Sequence, residues 1–529
     1  MKNHTHSTSS KASNHVRKGG VLVGMVAVMM VVGIMGVSVI ALTQGSERSY
    51  LSANANTRAY YLTDSGLRYA QTIFCEDDWR HGRTRRLRLD SGDEVEIIRL
   101  VDTFWATAEV DVGTPKEARA LVPMPLSLCG EQFEANPLEE FAIFGDVGIS
   151  LGNNTIIRGD VAITGDNIDI QGDVVGAVLA KNIEFTGQGT VTGDIFASGF
   201  VDIRTGAVIG DIHAANGITL RSTQATAFDG WLFSNASVAL SGRAAVGGHV
   251  HACGGDVSLS GSSSIGTPEN PAEVRASGNV TLSGSTRIYG DVHAGGSVIM
   301  GGGAIIGNVY AAGTISSGSI SGLRLPNSPT FVESPICPDL SNVDGLDLPE
   351  ATDFSSGGPN VNINRNSSAT LNAGSYGDLS TRNNSSGSQM TFSAGSSGHS
   401  DYFFESVDLG NSFTIRYNLS GGNDIRIFVE GDIDISRELN ILVSLNGINY
   451  FSINDPAIPN SIASRVYWES TGDYDLGNSS DWFGAVFTPD GSLSVSNGSL
   501  MIGSFFSGGG HNIQASTVVH VPPNYFSDL

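Results

Sequence analysis

VTGDIFASGFVDI (191–203), VIGDIHAANGITL (208–220) and IYGDVHAGGSVIM (288–300) are one phrase written three times. Each opens on an apolar residue, turns at Gly-Asp, alternates Val or Ile with Ala, and ends on a second alternating run. FDGWLFSNASVAL (228–240), GGHVHACGGDVSL (247–259), PAEVRASGNVTL (271–282) and IIGNVYAAGTIS (305–316) align with it, as does GAVLAKNIEF at its front. The aligned positions are Leu179, Phe196, His213, Phe233, His251, Arg275, His293 and Tyr310, at spacings of 17, 17, 20, 18, 24, 18 and 17. The spacing of 24 contains the insertion GTPENPAE, which a loop absorbs. A period of 17–20 with glycine at the breaks predicts a parallel β-helix over 140–323. Propeller blades need periods of about 40–50, and a leucine-rich repeat needs an LxxLxL phrase that is absent. Crossover chirality makes the expected coil right-handed.

Alternation fixes which side chains face out. In GDVHA the Val and Ala point inward and the Asp and His outward. Phe196, His213, Phe233, His251, Arg275, His293 and Tyr310 would then form an outward ridge with neighbours about 5 Å apart. As a functional site the ridge would grip glycan rings or a surface protein; the alternative is a stack that only stabilises the ladder. Beside it runs an Asp column, Asp194, Asp211 and Asp291. These carboxylates would either bridge Ca²⁺ or accept turn hydrogen bonds.

The remainder is organised around this repeat. VLVGMVAVMMVVGIMGVSVIAL (21–42) carries no charge and is long enough, about 33 Å as a helix, to cross a bilayer. Lys11, Arg17 and Lys18 precede it, which predicts a cytoplasmic N-terminus and residues 43–529 outside. A cleaved secretory signal is the alternative. Small or apolar residues at Ala55, Ala59, Leu62, Gly66, Tyr69 and Ile73 continue a helical stripe to about Phe74. EVEIIRLVDTFWATAEVDVG and EARALVPMPL then read as two or three antiparallel strands, preceded by an Arg-rich stretch (Arg80, Arg83, Arg85, Arg86, Arg88). Pro326, Pro329, Pro335, Pro338, Pro349 and Pro359 mark 324–358 as a linker, or an arm crossing the open end of the repeat. From 360 to 525, short strands broken by Gly, Ser and Asn predict a second β-helical domain.

A basic leader ending in Gly, a membrane helix and an amphipathic continuation resemble a type IV pilin or pseudopilin. AYYLTDSGLRYA is similar to the "aesGlr-A" segment of the PilX-type minor pilins. The resemblance implies a leader 1–20 cut after Gly20 or Gly19 to leave Val21 first, a transmembrane helix 21–42, and a pilin-like helix and small β head over 43–135. It also implies a bacterial inner-membrane protein with a single pass, its body periplasmic or extracellular, and other pilins as partners. Where the family's fifth mature residue is usually Glu, this chain has Met25. The repeats resemble the bactofilins in fold alone. GSYGDL, FVEGDIDI and GAVFTPDGSLSV resemble an uncharacterised β-helical domain that follows PilX-like N-termini.

The fold class expected is therefore mainly β, with a long N-terminal transmembrane helix and small β head ahead of parallel β-helix repeats. Composition agrees: 67 of 529 residues are Gly, which tight repeated turns use and helices do not. The net charge of −24 disfavours nucleic acid as a partner. Four cysteines in an exported chain allow two bridges in three connectivities; Cys75 and Cys129 bracket one segment and are the favoured pair, and Cys253 and Cys337 lie near the end of the next. Asp473, Asp475 and Asp481 form the best carboxylate cluster for calcium, although they do not make an EF-hand loop; a solvated turn is the alternative. No other cofactor is expected. No GxSxG, HExxH, P-loop or GxGxxG phrase is present. The function expected is a non-enzymatic surface protein, a minor or tip subunit of a pilus-like or pseudopilus assembly that serves adhesion or assembly. The alternatives are a surface-anchored β-helical polysaccharide lyase or hydrolase, and a self-associating scaffold.

Overall fold

The computed structural model of the chain describes residues 140–523, apart from 223–226, 336, 338–339, 341–345, 382–385 and 397, together with four strands between residues 84 and 125. Those four, Thr84–Arg88, Glu94–Leu100, Thr103–Val110 and Ala118–Pro125, form an antiparallel meander in chain order. The Arg-rich stretch supplies its edge strand. The leader, the apolar run 21–42 and its continuation to Phe74 lie outside the described residues. Among the described residues no helix is long and apolar enough to cross a membrane.

From Phe141 onward the protein is a parallel solenoid with three faces per coil. One coil reads Ile195–Ala197, Phe200–Ile203, Ala207–Val208, and the next Ile212–Ala214, Gly217–Ser222, Ala227–Phe228. Strands pair parallel, coil to coil, and Phe196 lies opposite His213, His213 opposite Phe233, Phe233 opposite His251, His251 opposite Arg275, Arg275 opposite His293, and His293 opposite Tyr310. These are the positions that the sequence phrases set against one another.

Inside this half the columns are small. Ile195, Ile212, Leu232, Val250, Val274, Val292 and Val309 stack along the first face, each at most 1 % exposed, with Ala197, Ala214, Ala252, Ala276, Ala294 and Ala311 beside them. Glycine is required at the Gly-Asp corner by proximity. A Cβ on Gly210 would lie 2.4 Å from the carbonyl oxygen of Gly193, and one on Gly307 would lie 2.1 Å from that of Gly290. The following Asp bridges the same corner: Asp194 accepts the amide of Asp211 (2.7 Å), Asp211 that of Trp231 (2.8 Å), and Asp291 that of Asn308 (2.7 Å). The Asp column is thus a run of turn bonds between coils.

The second half, from Val361, is the same kind of solenoid with a wider core. Tyr402, Tyr417, Tyr474, Trp468, Trp482, Phe392 and Phe404 are all fully buried in it. It does not stand apart as a second domain. The last coil of the chain stacks on the first: Phe505–Ser507 pairs with Phe141–Gly145, His511–Ile513 with Ile149–Leu151, and Thr517–His520 with Ile156–Arg158. Six rungs, from Gly374–Ser375 to Phe505–Ser507, therefore run without a break into eleven, from Phe141–Gly145 to Arg324–Leu325. Chain order and stacking order differ, and residues 141–520 form one continuous stack.

That topology gives 324–358 its role. The chain leaves the stack at Leu325, at one end, and rejoins it at Val361, at the other. At about 4.8 Å per rung the two points are about 75 Å apart. The segment does not bridge an open end as an arm; it returns along the whole length of the solenoid.

Candidate functional site

The sequence-predicted ridge is in place, and it is covered. The outward column continues through both halves in register. Ser375 lies opposite Phe403, and the line continues through Phe428, Glu469, Phe487, Phe506, Phe144, Ala162 and Leu179 into Phe196 and the ridge. The rings stack as their spacing requires. Phe196 and His213 are 4.8 Å apart with planes 6° apart, His213 and Phe233 4.9 Å at 7°, and His293 and Tyr310 4.6 Å at 17°. Phe233 and His251 meet edge-on at 5.4 Å. Yet Phe196, His213, Phe233, His251 and His293 are all at most 6 % exposed. Phe196 belongs to a second apolar cluster outside the coils, with Phe144, Leu179, Phe428, Phe487 and Phe506, and Leu340 and Leu346 of the returning segment close it. The expected open strip is a sealed seam.

The returning segment, here called the strap, touches the seam in descending order. The Glu333 amide donates to His293 Nδ1 (3.1 Å), and the Glu333 carboxylate pairs with Arg275. Cys337 is disulfide-bonded to Cys253, with the two Cα atoms 5.7 Å apart. The Thr352 amide and hydroxyl donate to the two oxygens of Glu469 (2.6 and 2.7 Å), which also accepts the Tyr467 hydroxyl (2.9 Å). Phe354 packs on Phe428 (5.2 Å) and Phe403 (6.0 Å), and the Ser356 amide donates to Glu430 (2.6 Å).

The strongest electrostatic cluster holds the strap's first contact. Arg275 makes a two-pronged bond to Glu273 (2.9 Å each), and His293 Nε2 lies 3.0 Å from Glu273 Oε1. Burial disfavours the Glu273 charge, but Arg275 and His293 outweigh it and hold the carboxyl well below the usual range. Burial likewise opposes charge on His293, and Glu273 outweighs it to raise the imidazole. The bond from the Glu333 amide uses the unprotonated Nδ1, so charging this ring costs a strap bond. At the other end Glu469 is fully buried; desolvation raises it, against the hydrogen bonds from Thr352 and Tyr467.

The three carboxylates expected to hold calcium are dispersed over the coil. Asp473 sits at a corner, where it accepts the Ser492 amide and hydroxyl (2.8 and 2.9 Å), as the Asp column does in the other half. Asp475 is on the outward second face, opposite Asp434. Asp481 opens a strand on the third face. Among the described residues no group of three or more His, Cys, Asp or Glu is placed to hold a metal ion. Asp475 belongs instead to an outward acidic column, Asp408–Asp434–Asp475. Partial burial, then the neighbouring carboxylates Asp408 and Asp432, raise Asp434. Partial burial also raises Asp475, with Asp434 and Asp473 adding to it and a Ser494 hydrogen bond opposing. Gly19, Gly20, Val21, Cys75 and Cys129 lie outside the described residues.

Sequence reasoning missed the strap as a lid. The signal was present: Leu340, Leu346, Leu348 and Phe354 are apolar residues spread through a Pro-rich stretch read as a linker.

No family model matches the chain, and no curated protein does. Three solved structures are similar to it. One is an ice binding protein from an Antarctic bacterium of the Flavobacteriaceae, 14 % identical, covering 73 % of this chain and 98 % of that one at a TM-score of 0.20. A second is a possible adhesin C-terminal domain from Caldicellulosiruptor kronotskyensis, 10 % identical, 74 % and 94 % covered, TM-score 0.18. The third is the competence-associated pilin ComZ from Thermus thermophilus, 13 % identical, 88 % and 92 % covered, TM-score 0.22. At TM-scores this low the likenesses carry no argument about this chain.

Proposed function

We propose that the protein is a non-enzymatic surface protein whose solenoid is a rigid body displayed outside the cell from its N-terminal segment. In this reading residues 21–42 anchor it in the bacterial inner membrane, and its resemblance to PilX-type pilins makes it a minor or tip subunit of a pilus-like or pseudopilus assembly. The observation that supports it most is the sealed seam. Among the described residues, the long outward column that would suit a glycan or a partner is covered by the chain's own strap and bolted by the Cys253–Cys337 bond. A disulfide of this kind suits an oxidising compartment outside the cytoplasm. What remains exposed is largely Gly, Ser, Asn and Asp on regular faces, a surface for display and adhesion.

The test is the mature N-terminus. Mass spectrometry of the membrane-extracted protein should find Val21 (or Gly20) first. Met1 still attached would remove the pilin reading, and a protein recovered without a membrane anchor would remove the display reading.

A further inference from the structure

The chain enters the solenoid in its middle. Phe141–Gly145, the first strand after the N-terminal segment, has Asp160–Ile163 on one side and Phe505–Ser507 on the other. In a solenoid whose chain order matched its stacking order, this strand would be an edge, with one neighbour, and edges fray first.

We propose that the C-terminal coil, residues 505–520, is a clasp that locks the strand by which the body hangs. Load applied at residue 140 is then carried by two rung interfaces instead of one. The proposal rests on the reading of residues 1–139 as the attachment.

The contacts are specific to the pairing. The amides of Asp146, Gly152 and Ile156 donate to the carbonyls of Ser507 (3.3 Å), Ile513 (2.8 Å) and Ser516 (2.8 Å), and the His511 amide donates back to Gly148 (3.2 Å). The Thr155 hydroxyl adds a bond to the Ile513 carbonyl (3.1 Å). His511 is the key. Its ring is buried, and Nε2–H donates to the Phe144 carbonyl (2.9 Å). The ring lies over Gly145, where a Cβ would come within 2.8 Å of it, so the incoming strand must present glycine there. Phe144 and Phe506 close the contact on the seam side, both fully buried, and strap residue Leu348 approaches the next turn at Gly508.

A clasp of this kind makes the chain's last coil necessary to its first. The N-terminal rungs stay open until residues 505–520 have been made and exported, so a chain lacking them presents an unlocked attachment strand.

The test is hydrogen exchange on the full-length membrane protein. Gly145→Ala and His511→Ala disturb the key from opposite sides. Each should lower amide protection over 141–151 at least tenfold while strands 274–311 keep theirs. Because either variant could unfold the whole body, a gain-of-lock variant is measured beside them. Ser150 and Asn512 lie opposite each other on the outward face. Ser150→Cys with Asn512→Cys, once oxidised, should slow exchange over 141–151 beyond wild type. Unchanged protection there in the crosslinked protein, or in both alanine variants, overturns the clasp. Retained Met1 would overturn the attachment reading and leave the exchange result standing, so the two failures are distinct.

Discussion

The two halves of the solenoid share a rung spacing and a strap but solve the core differently. Residues 141–325 fill their coils mostly with Val, Ile, Leu and Ala, with Phe185 and Phe228 the rings among them, so most rungs add a small increment. Residues 361–520 fill theirs with large rings: Trp468 meets Trp482 edge-on at 5.3 Å, Trp482 meets Tyr474 at 5.0 Å, and Phe392 meets Trp468 at 5.9 Å. Rings in a core bring polar atoms with them. Trp468 Nε1 donates to the Tyr417 hydroxyl (3.0 Å), and the Tyr402 hydroxyl donates to the Ser393 carbonyl (3.0 Å). Burial raises both Tyr417 and Tyr402, against the hydrogen bonds to Trp468 and Ser393. A narrow coil distributes its stability along the axis; a wide one concentrates it in a few residues.

Single truncations should break that comparison most visibly. Trp468→Ala is expected to cost about 3–5 kcal/mol, and Val274→Ala, which removes two methyl groups, about 2 kcal/mol. Equal costs in chemical denaturation would mean that the two cores are not organised differently. Next is the disulfide, which ties the strap to the narrow half only. Cys253→Ser with Cys337→Ser opens a loop of 84 residues and should cost about 2–4 kcal/mol. It should also raise protease sensitivity around 326–340 before the wide half is cut.

Smaller effects sharpen the contrast at the other strap grip. Glu469→Ala leaves the Thr352 amide and the Tyr467 hydroxyl without their acceptor, at about 1–3 kcal/mol. The loss should appear as increased exchange over 346–356, with the Cys253–Cys337 end unaffected. The smallest effect has the opposite sign. Asp434 sits between like charges and its carboxyl is raised in the fold, so its charged form is disfavoured. A raised acid contributes stability below its unfolded pKa, near 4, and loses it as pH rises through the folded value. Asp434→Asn should therefore raise the melting temperature slightly at pH 7 and leave it unchanged near pH 3. A loss of stability at pH 7 would contradict it.

The narrow half was legible because its phrases repeat. Gly-Asp corners and Val-x-Ala strands set the register from Leu179 to Tyr310, and the ring stack followed from it. The ridge's fate was not legible, because alternation tells that Phe196 and His213 leave the coil interior and says nothing of what covers them. The cover is Leu340, Leu346 and Phe354, whose only periodicity is that of the seam they lie on. The order of stacking was equally hidden. Phe505–Ser507 and Phe141–Gly145 are short apolar runs that resemble every other rung, and only His511 over Gly145 marks them as neighbours. The calcium expectation at Asp473, Asp475 and Asp481 shows the same limit from the opposite side. Nearness in sequence across a coil corner places carboxylates on different faces.

The coil at 505–520 stacks on the one at 141–158, which makes the two halves one solenoid. This stacking is tested most directly by the Ser150→Cys, Asn512→Cys protein, analysed by peptide mapping after mild oxidation. These strands are joined in the native fold across 358 residues of chain, as the Thr155–Ile513 bond shows. Adjacent rungs bring paired positions within disulfide reach. A 150–512 crosslink formed within single molecules is expected. A crosslink found only between molecules, or none while Cys253–Cys337 remains intact, would contradict the stacking.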